Sequence, residues 1–198
     1  MQQTIDKQRR RLIAATTLVG GAGMVVATIP FIAYMNPSAR ARAGGASVVL
    51  DISKLQPGQQ VTVLWQKKPV WVLRRTQSNL DDLEQASLRA QLRDPDSSVQ
   101  SQQPDYARNI FRSIKPEYLV VVALCTHLGC IPTYRPERAP DDLGQDWGGG
   151  YFCPCHGSRF DLAGRVFRNV PAPTNLVIPA HRYLSDTEVL IGEDPVSV

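Results

Sequence analysis

Cys125-Thr126-His127-Leu128-Gly129-Cys130 and Cys153-Pro154-Cys155-His156-Gly157-Ser158, 22 residues apart, are the two segments on which the reading of this chain turns. Each sets a cysteine and a histidine in one six-residue stretch, and each holds a second cysteine. Thiolates and imidazoles are the side chains that bind soft and borderline metal ions. Two such loops can clamp one centre between their tips. A single Cys-x-His is weak evidence, but a matched pair is strong. Zinc held by two cysteines and two histidines has equally suitable ligand chemistry. Against zinc stand a spacing unlike a zinc finger and two cysteines that the ion would leave unused. His181, the third histidine, is far from both segments and reads as a surface histidine or one satisfied by neighbours.

Working outward, Tyr118 to Leu124 is a continuous apolar strand that leads into the first loop. Upstream, Ser47 to Ile52, Gln60 to Leu64 and Pro69 to Arg75 have strand composition, with turns at Gln56-Pro57-Gly58 and Lys67-Lys68-Pro69. Ser78 or Asn79 is a candidate cap for a short helix through about Leu92, with Asp81, Asp82 and Glu84 in its first turns. Residues 94–105 are polar and read as loop. Residues 134–150 (YRPERAPDDLGQDWGGG), rich in Pro, Gly and charge, read as an exposed insertion.

Leu12 to Met35 contains no charge over 24 residues. As a helix it would run about 36 Å against a hydrocarbon core of roughly 30 Å, enough to span with some tilt. Gly20, Gly21, Gly23 and Pro30 are tolerated there. A cleaved secretory signal is the alternative, because Ala41-Arg42-Ala43 resembles a cleavage site. The apolar run, however, exceeds the roughly 7 to 15 residues of a signal core. Residues 36–46 (NPSARARAGGA) read as a flexible linker. The net charge of +4 sits at the flanks of the apolar run: +3 from residues 1–11, +2 from Arg40 and Arg42, which leaves 4 − 5 = −1 for residues 47–198. No basic face for nucleic acid is implied. The heavier positive flank keeps residues 1–11 cytoplasmic and sends the bulk of the chain outward. Arg9-Arg10-Arg11-Leu12-Ile13 also resembles a twin-arginine export signal, although a positive flank alone explains these residues equally well.

Taken together, C-T-H-x-G-C and C-P-C-H-G-S resemble closely the signature of the Rieske proteins of quinol-cytochrome c reductases, and the resemblance extends over anchor, linker and outer domain. It implies an all-β fold of stacked antiparallel sheets with a small cluster-binding subdomain near residues 119–170, all preceded by one transmembrane helix. It implies one [2Fe-2S] cluster, with Cys125 and Cys153 on the inner iron, His127 and His156 on the outer iron, and a disulfide between Cys130 and Cys155. Gly129 and Gly157 would bring backbone N–H groups near the sulfurs, Ser158 would donate its hydroxyl to a sulfide, and Leu128 would cover the cluster. The implied activity is oxidation of ubiquinol by coupled electron and proton transfer, centred on His156 and His127, with the electron passed to a c-type cytochrome. The implied partners are cytochrome b and c-type cytochrome subunits of a homodimeric complex in a bacterial inner membrane, with the Rieske domain (residues 47–198) periplasmic and residues 36–46 acting as a hinge.

The histidines have a physical rationale. Two ferric ions, two sulfides and two thiolates sum to zero charge, whereas four thiolates would leave −2, so histidine ligation raises the potential from about −400 mV to roughly −150 to +300 mV. Two departures from the family pattern stand out. Many relatives carry Tyr two residues after the serine, and here that position is Phe160. The proline-rich loop, usually Gly-Pro-Ala-Pro, reads Val170-Pro171-Ala172-Pro173. Related carriers, the small subunit of an arsenite oxidase or an oxygenase ferredoxin, are the competing readings. The paired extra cysteines and the anchor oppose the ferredoxin, while the linker and residues 170–173 oppose the oxidase.

Overall fold

The computed structural model describes residues 6–36, 38 and 45–195. It contains an N-terminal helix and, separately, a compact β domain. Most of the linker expected at residues 36–46 lies outside the described residues.

Helix α1 spans Lys7–Met35. It begins five residues earlier than the apolar run, because Asp6 caps it by accepting from the Gln8 and Arg9 amides at 3.0 and 3.2 Å. Thr16, Thr17 and Thr28 turn their hydroxyls back onto carbonyls of the preceding turn, which satisfies them without water. Among the described residues this is the helix long and apolar enough to cross a membrane.

The β domain is built from three antiparallel three-stranded sheets. One orders β1 (Val48–Asp51), β9 (Glu188–Ile191) and β8 (His181–Tyr183). The middle sheet orders β2 (Gln60–Trp65), β3 (Lys68–Arg74) and β4 (Tyr118–Val122). The third orders β5 (Thr133–Arg135), β6 (Gly150–Phe152) and β7 (Arg159–Phe160).

The apolar runs of β3 and β4 are explained by burial on both faces. Val70, Val72, Tyr118, Val120 and Val122 share a core with Ile52, Val189 and Ile191. Trp71, Leu73, Leu119 and Val121 face the other way, into the core that holds Cys125 and Cys153. A strand covered on both sides has no polar face to alternate.

Three local readings are corrected. The turn between β2 and β3 is Gln66-Lys67, both at positive φ (50° and 62°), as a two-residue hairpin requires, so Lys68 and Pro69 already belong to β3. The helix begins at Thr76, not Ser78 or Asn79: Thr76 accepts from the Asn79 amide while the Asn79 side chain accepts from the Thr76 amide. It is also two helices, α2 (Gln77–Leu83) and α3 (Ala86–Gln91). The 134–150 insertion is anchored and not wholly exposed. Trp147 is 3% exposed, stacks on Phe167 and packs with Leu143 and Leu92.

Candidate metal centre

Both signature segments fold into the same loop. Cys125 N–H donates to the Cys130 carbonyl at 2.8 Å and Gly129 N–H returns to the Cys125 carbonyl at 2.9 Å. Cys153 N–H donates to the Ser158 carbonyl at 2.8 Å and Gly157 N–H returns to the Cys153 carbonyl at 2.9 Å. The fifth residue of each loop must therefore turn left-handed, and it is glycine in both, at φ +80° and +76°. β4 leads into the first loop, while β6 and β7 flank the second.

The loops divide their side chains by depth. Cys125 and Cys153 are buried, at 3% and 2% exposure, whereas His156 is exposed and His127 half-buried. The two imidazoles meet edge-on, ring centres 4.8 Å apart. Burial pushes the Cys125 thiol up, opposed by the His127 amide and the Ser158 hydroxyl, which favour the thiolate. Cys130 and Cys155 form a disulfide that joins the loops, and their sulfurs lie within 4.8 Å of the Cys153 sulfur. The two cysteines with free thiols are therefore Cys125 and Cys153.

Behind the loops, Ser158 is fully buried and its Oγ accepts from the Ala172 amide at 3.0 Å, which leaves its own proton free to point at sulfur. Gly129 has no heavy atom near the position of an added Cβ, and neither has Gly157, so turn geometry is what these glycines supply. Leu128 is 72% exposed at the tip of the first loop.

Several residues that hold the site carried no signal in the sequence. Thr126 donates to the Thr174 carbonyl at 2.7 Å and ties the first loop to the proline segment. In that segment the left-handed residue is Asn169 (φ +58°), one position before Val170, so the turn is made although the family glycine is missing. Arg75, Arg112 and Arg165 are buried, and their charge is met by Asp161 and by carbonyls such as those of Leu162 and Leu176. An isolated arginine in an irregular segment looks solvent-facing, so only long-range partners reveal it. His181 is fully buried, with Nδ1 2.9 Å from the Pro179 carbonyl.

The donor set suits an iron–sulfur cluster: two sulfurs withdrawn from water, two imidazoles facing it, and a hydroxyl aimed at the sulfurs. Zinc has no use for the sulfur-linked loops or the serine. This fold and this site define a Rieske-type iron–sulfur protein. Residues 82–182 match the model of the Rieske [2Fe-2S] domain, and residues 1–38 match that of the reductase Fe-S subunit TAT signal. The ubiquinol-cytochrome c reductase iron-sulfur subunit of Allochromatium vinosum is 63% identical over 193 residues, covering 97% of this chain and 92% of that one. Those of Blastochloris viridis and Rhodospirillum rubrum are each 44% identical, over 96% and 94% of this chain and 95% and 92% of theirs. The chain belongs to the family of ubiquinol-cytochrome c reductase iron-sulfur subunits, and its cofactor is one Rieske [2Fe-2S] cluster. The twin-arginine reading of residues 9–13 thus falls within a matched export signal.

Proposed function

We propose that Cys125 and Cys153 hold the cluster's inner iron and His127 and His156 its outer iron, and that the chain oxidises ubiquinol and passes the electron to a c-type cytochrome. The observation that carries this reading is the division by depth: thiols inside, imidazoles at the surface. The bound cluster supplies a one-electron acceptor whose potential is raised by its neutral charge.

The protein's own part is positional. His156, exposed at the tip, offers the ring nitrogen that does not hold iron to the quinol hydroxyl, takes a hydrogen bond from it, and receives its proton as the electron leaves. Leu128, exposed beside it, presents an apolar surface to a lipid-soluble substrate. Ser158 donates toward sulfur, which favours extra negative charge there. The disulfide holds the two loops together, and the Thr126 hydrogen bond ties the first of them to the Thr174 carbonyl, so the imidazoles do not drift apart.

Helix α1 anchors the chain in the inner membrane with its amino terminus cytoplasmic and the β domain periplasmic, in a homodimeric complex with cytochrome b and a c-type cytochrome. The positive flank of α1 and the matched export signal support this orientation. The test is purification of the detergent-solubilised complex and assay of quinol-dependent cytochrome c reduction. Haems b and c co-purifying with the chain, an anisotropic EPR signal, and turnover abolished by His156→Gln are expected. A colourless protein, or one carrying no cytochromes, would overturn the reading.

A further inference from the structure

The β domain neutralises most of its exposed arginines. Arg74, Arg89, Arg135, Arg138 and Arg182 each pair with a carboxylate. Among the described residues of this domain, four exposed or half-buried arginines make no ion pair: Arg93, Arg108, Arg159 and Arg168. Three of these four gather in one place. Arg159 and Arg168 line a pocket with Gly157, Gln91, Asn169 and Val170, and Arg93 reaches its rim by donating to the Val170 carbonyl at 3.0 Å. No carboxylate lines that pocket. Asp142 faces Arg159, but its two oxygens are taken by Arg135 at 2.8 Å.

The arginines are also held in place. Arg159 donates to the Leu143 carbonyl at 3.2 Å and Arg168 to the Leu92 carbonyl at 2.9 Å, so each guanidinium is oriented by one bond and keeps further N–H groups for a ligand. Gly157 in the wall is the neighbour of His156, so whatever sits here lies beside the outermost imidazole. The first-loop side of the tip is different in kind: Leu128 is 72% and Ile131 55% exposed. A neutral quinol has no use for three unpaired cations, whereas an acidic protein face does.

We infer that the Arg93–Arg159–Arg168 flank is the seat for carboxylates on the protein that accepts the electron. This rests on the function proposed above. The apolar flank serves the quinol side, the cationic flank the acceptor side, and the two faces sort the head's two partners. Planar guanidinium forks match carboxylates in two-point contact. At a wet rim such pairs set docking rate and salt dependence more than final affinity.

Carbodiimide joins an amine to a carboxylate in direct contact and leaves guanidinium alone. In the whole solubilised complex, Arg168→Lys and, separately, Arg159→Lys should each create a crosslink, mapped by mass spectrometry, to an Asp or Glu of the haem c subunit, absent in the parent. Arg159→Gln with Arg168→Gln should slow transfer from the head to haem c about fivefold at low salt and converge with the parent at high salt. The EPR spectrum should stay unchanged, which shows an intact head. Crosslinks only to cytochrome b or within the chain, or a double variant with parental salt dependence, would overturn the inference while leaving the proposed function standing. A chain purified without cytochromes would overturn both.

Discussion

Tyr151 and Phe160 are direct register partners across β6 and β7, both fully buried in the core that holds Cys125 and Cys153. The Tyr151 hydroxyl has no hydrogen-bond partner among the described residues, so it does not replace the donor that many relatives carry at the Phe160 position. Phe160→Tyr should raise the cluster midpoint. A bond that favours the reduced cluster by on the order of 1 kcal/mol is worth about 45 mV for one electron, at roughly 59 mV per tenfold. A redox titration followed by EPR decides it, and an unchanged or lower midpoint defeats the idea.

The Ser158 hydroxyl has two jobs, accepting from the Ala172 amide and donating toward sulfur, and Ser158→Ala removes both. The midpoint should fall. The buried Ala172 amide, left without a partner, should lower stability by about 1–3 kcal/mol. Thr126→Val separates these effects. It cuts the tie to Thr174 without touching a sulfur donor, so it should lower thermal stability and leave the midpoint nearly fixed. Equal midpoint shifts in both variants would mean that loop position, not the serine proton, tunes the cluster.

Cys130 and Cys155 are 25 residues apart in sequence, and their bond closes a loop worth roughly 3–4 kcal/mol in the loop-entropy description. The bond also sits against the Cys153 sulfur. Cys130→Ser with Cys155→Ser should therefore bleach the visible cluster absorption on heating at a much lower temperature than the parent. If the bleaching temperature does not move, the disulfide is not what holds the loops.

His181 is buried between the Tyr106 and Tyr183 rings, and burial lowers its pKa; the Pro179 carbonyl and then Asp194, bonded to Tyr106, pull the other way. The folded ring therefore takes up a proton less readily than the unfolded chain, which does so near pH 6.5. Stability should fall as pH drops below about 6.5 and show no such dependence above about 7, because the unfolded state binds more protons. Melting temperatures at pH 5 and pH 7.5 should differ less in His181→Gln than in the parent. An equal difference would show that other groups carry the acid sensitivity.

What could be read from residues alone followed from whether the cause was local. The two Cys–His loops were legible as a cluster site because metal chemistry admits few side chains, and Gly129 and Gly157 fall where the backbone must turn left-handed. β3 and β4 were legible because burial on both faces leaves an unbroken apolar run. The start of α2 was misplaced by two or three residues because the capping pair uses Asn79 in place of the usual Glu or Gln. Trp147 lay hidden in a stretch whose composition is that of a loop, and its burial depends on Phe167 and Leu92, both distant in sequence. The buried arginines were illegible for the same reason: the terminal nitrogens of Arg112 donate to carbonyls of Gln102, Ala163 and Leu176.

Those arginines give the last prediction. Asp161 accepts from the Ala163 and Arg165 amides at 2.9 and 2.8 Å with one oxygen and from Arg165 Nε at 2.7 Å with the other, all out of water. Burial lowers the Arg75 and Arg112 pKa values to about 10, still well above neutral, so both stay charged, and Asp161 is a carboxylate that supports each of them. Asp161→Asn keeps the size of the side chain and deletes the charge, leaving the buried Arg165 without its partner. That should cost about 3–5 kcal/mol. Asp161→Asn with Arg165→Met removes the uncompensated cation too, and should recover part of the loss. Denaturant unfolding of the detergent-solubilised holoprotein, followed by tryptophan fluorescence, measures both. A double variant no more stable than Asp161→Asn would mean that the shape of the 161–165 turn, rather than the buried charge pair, is what the fold depends on.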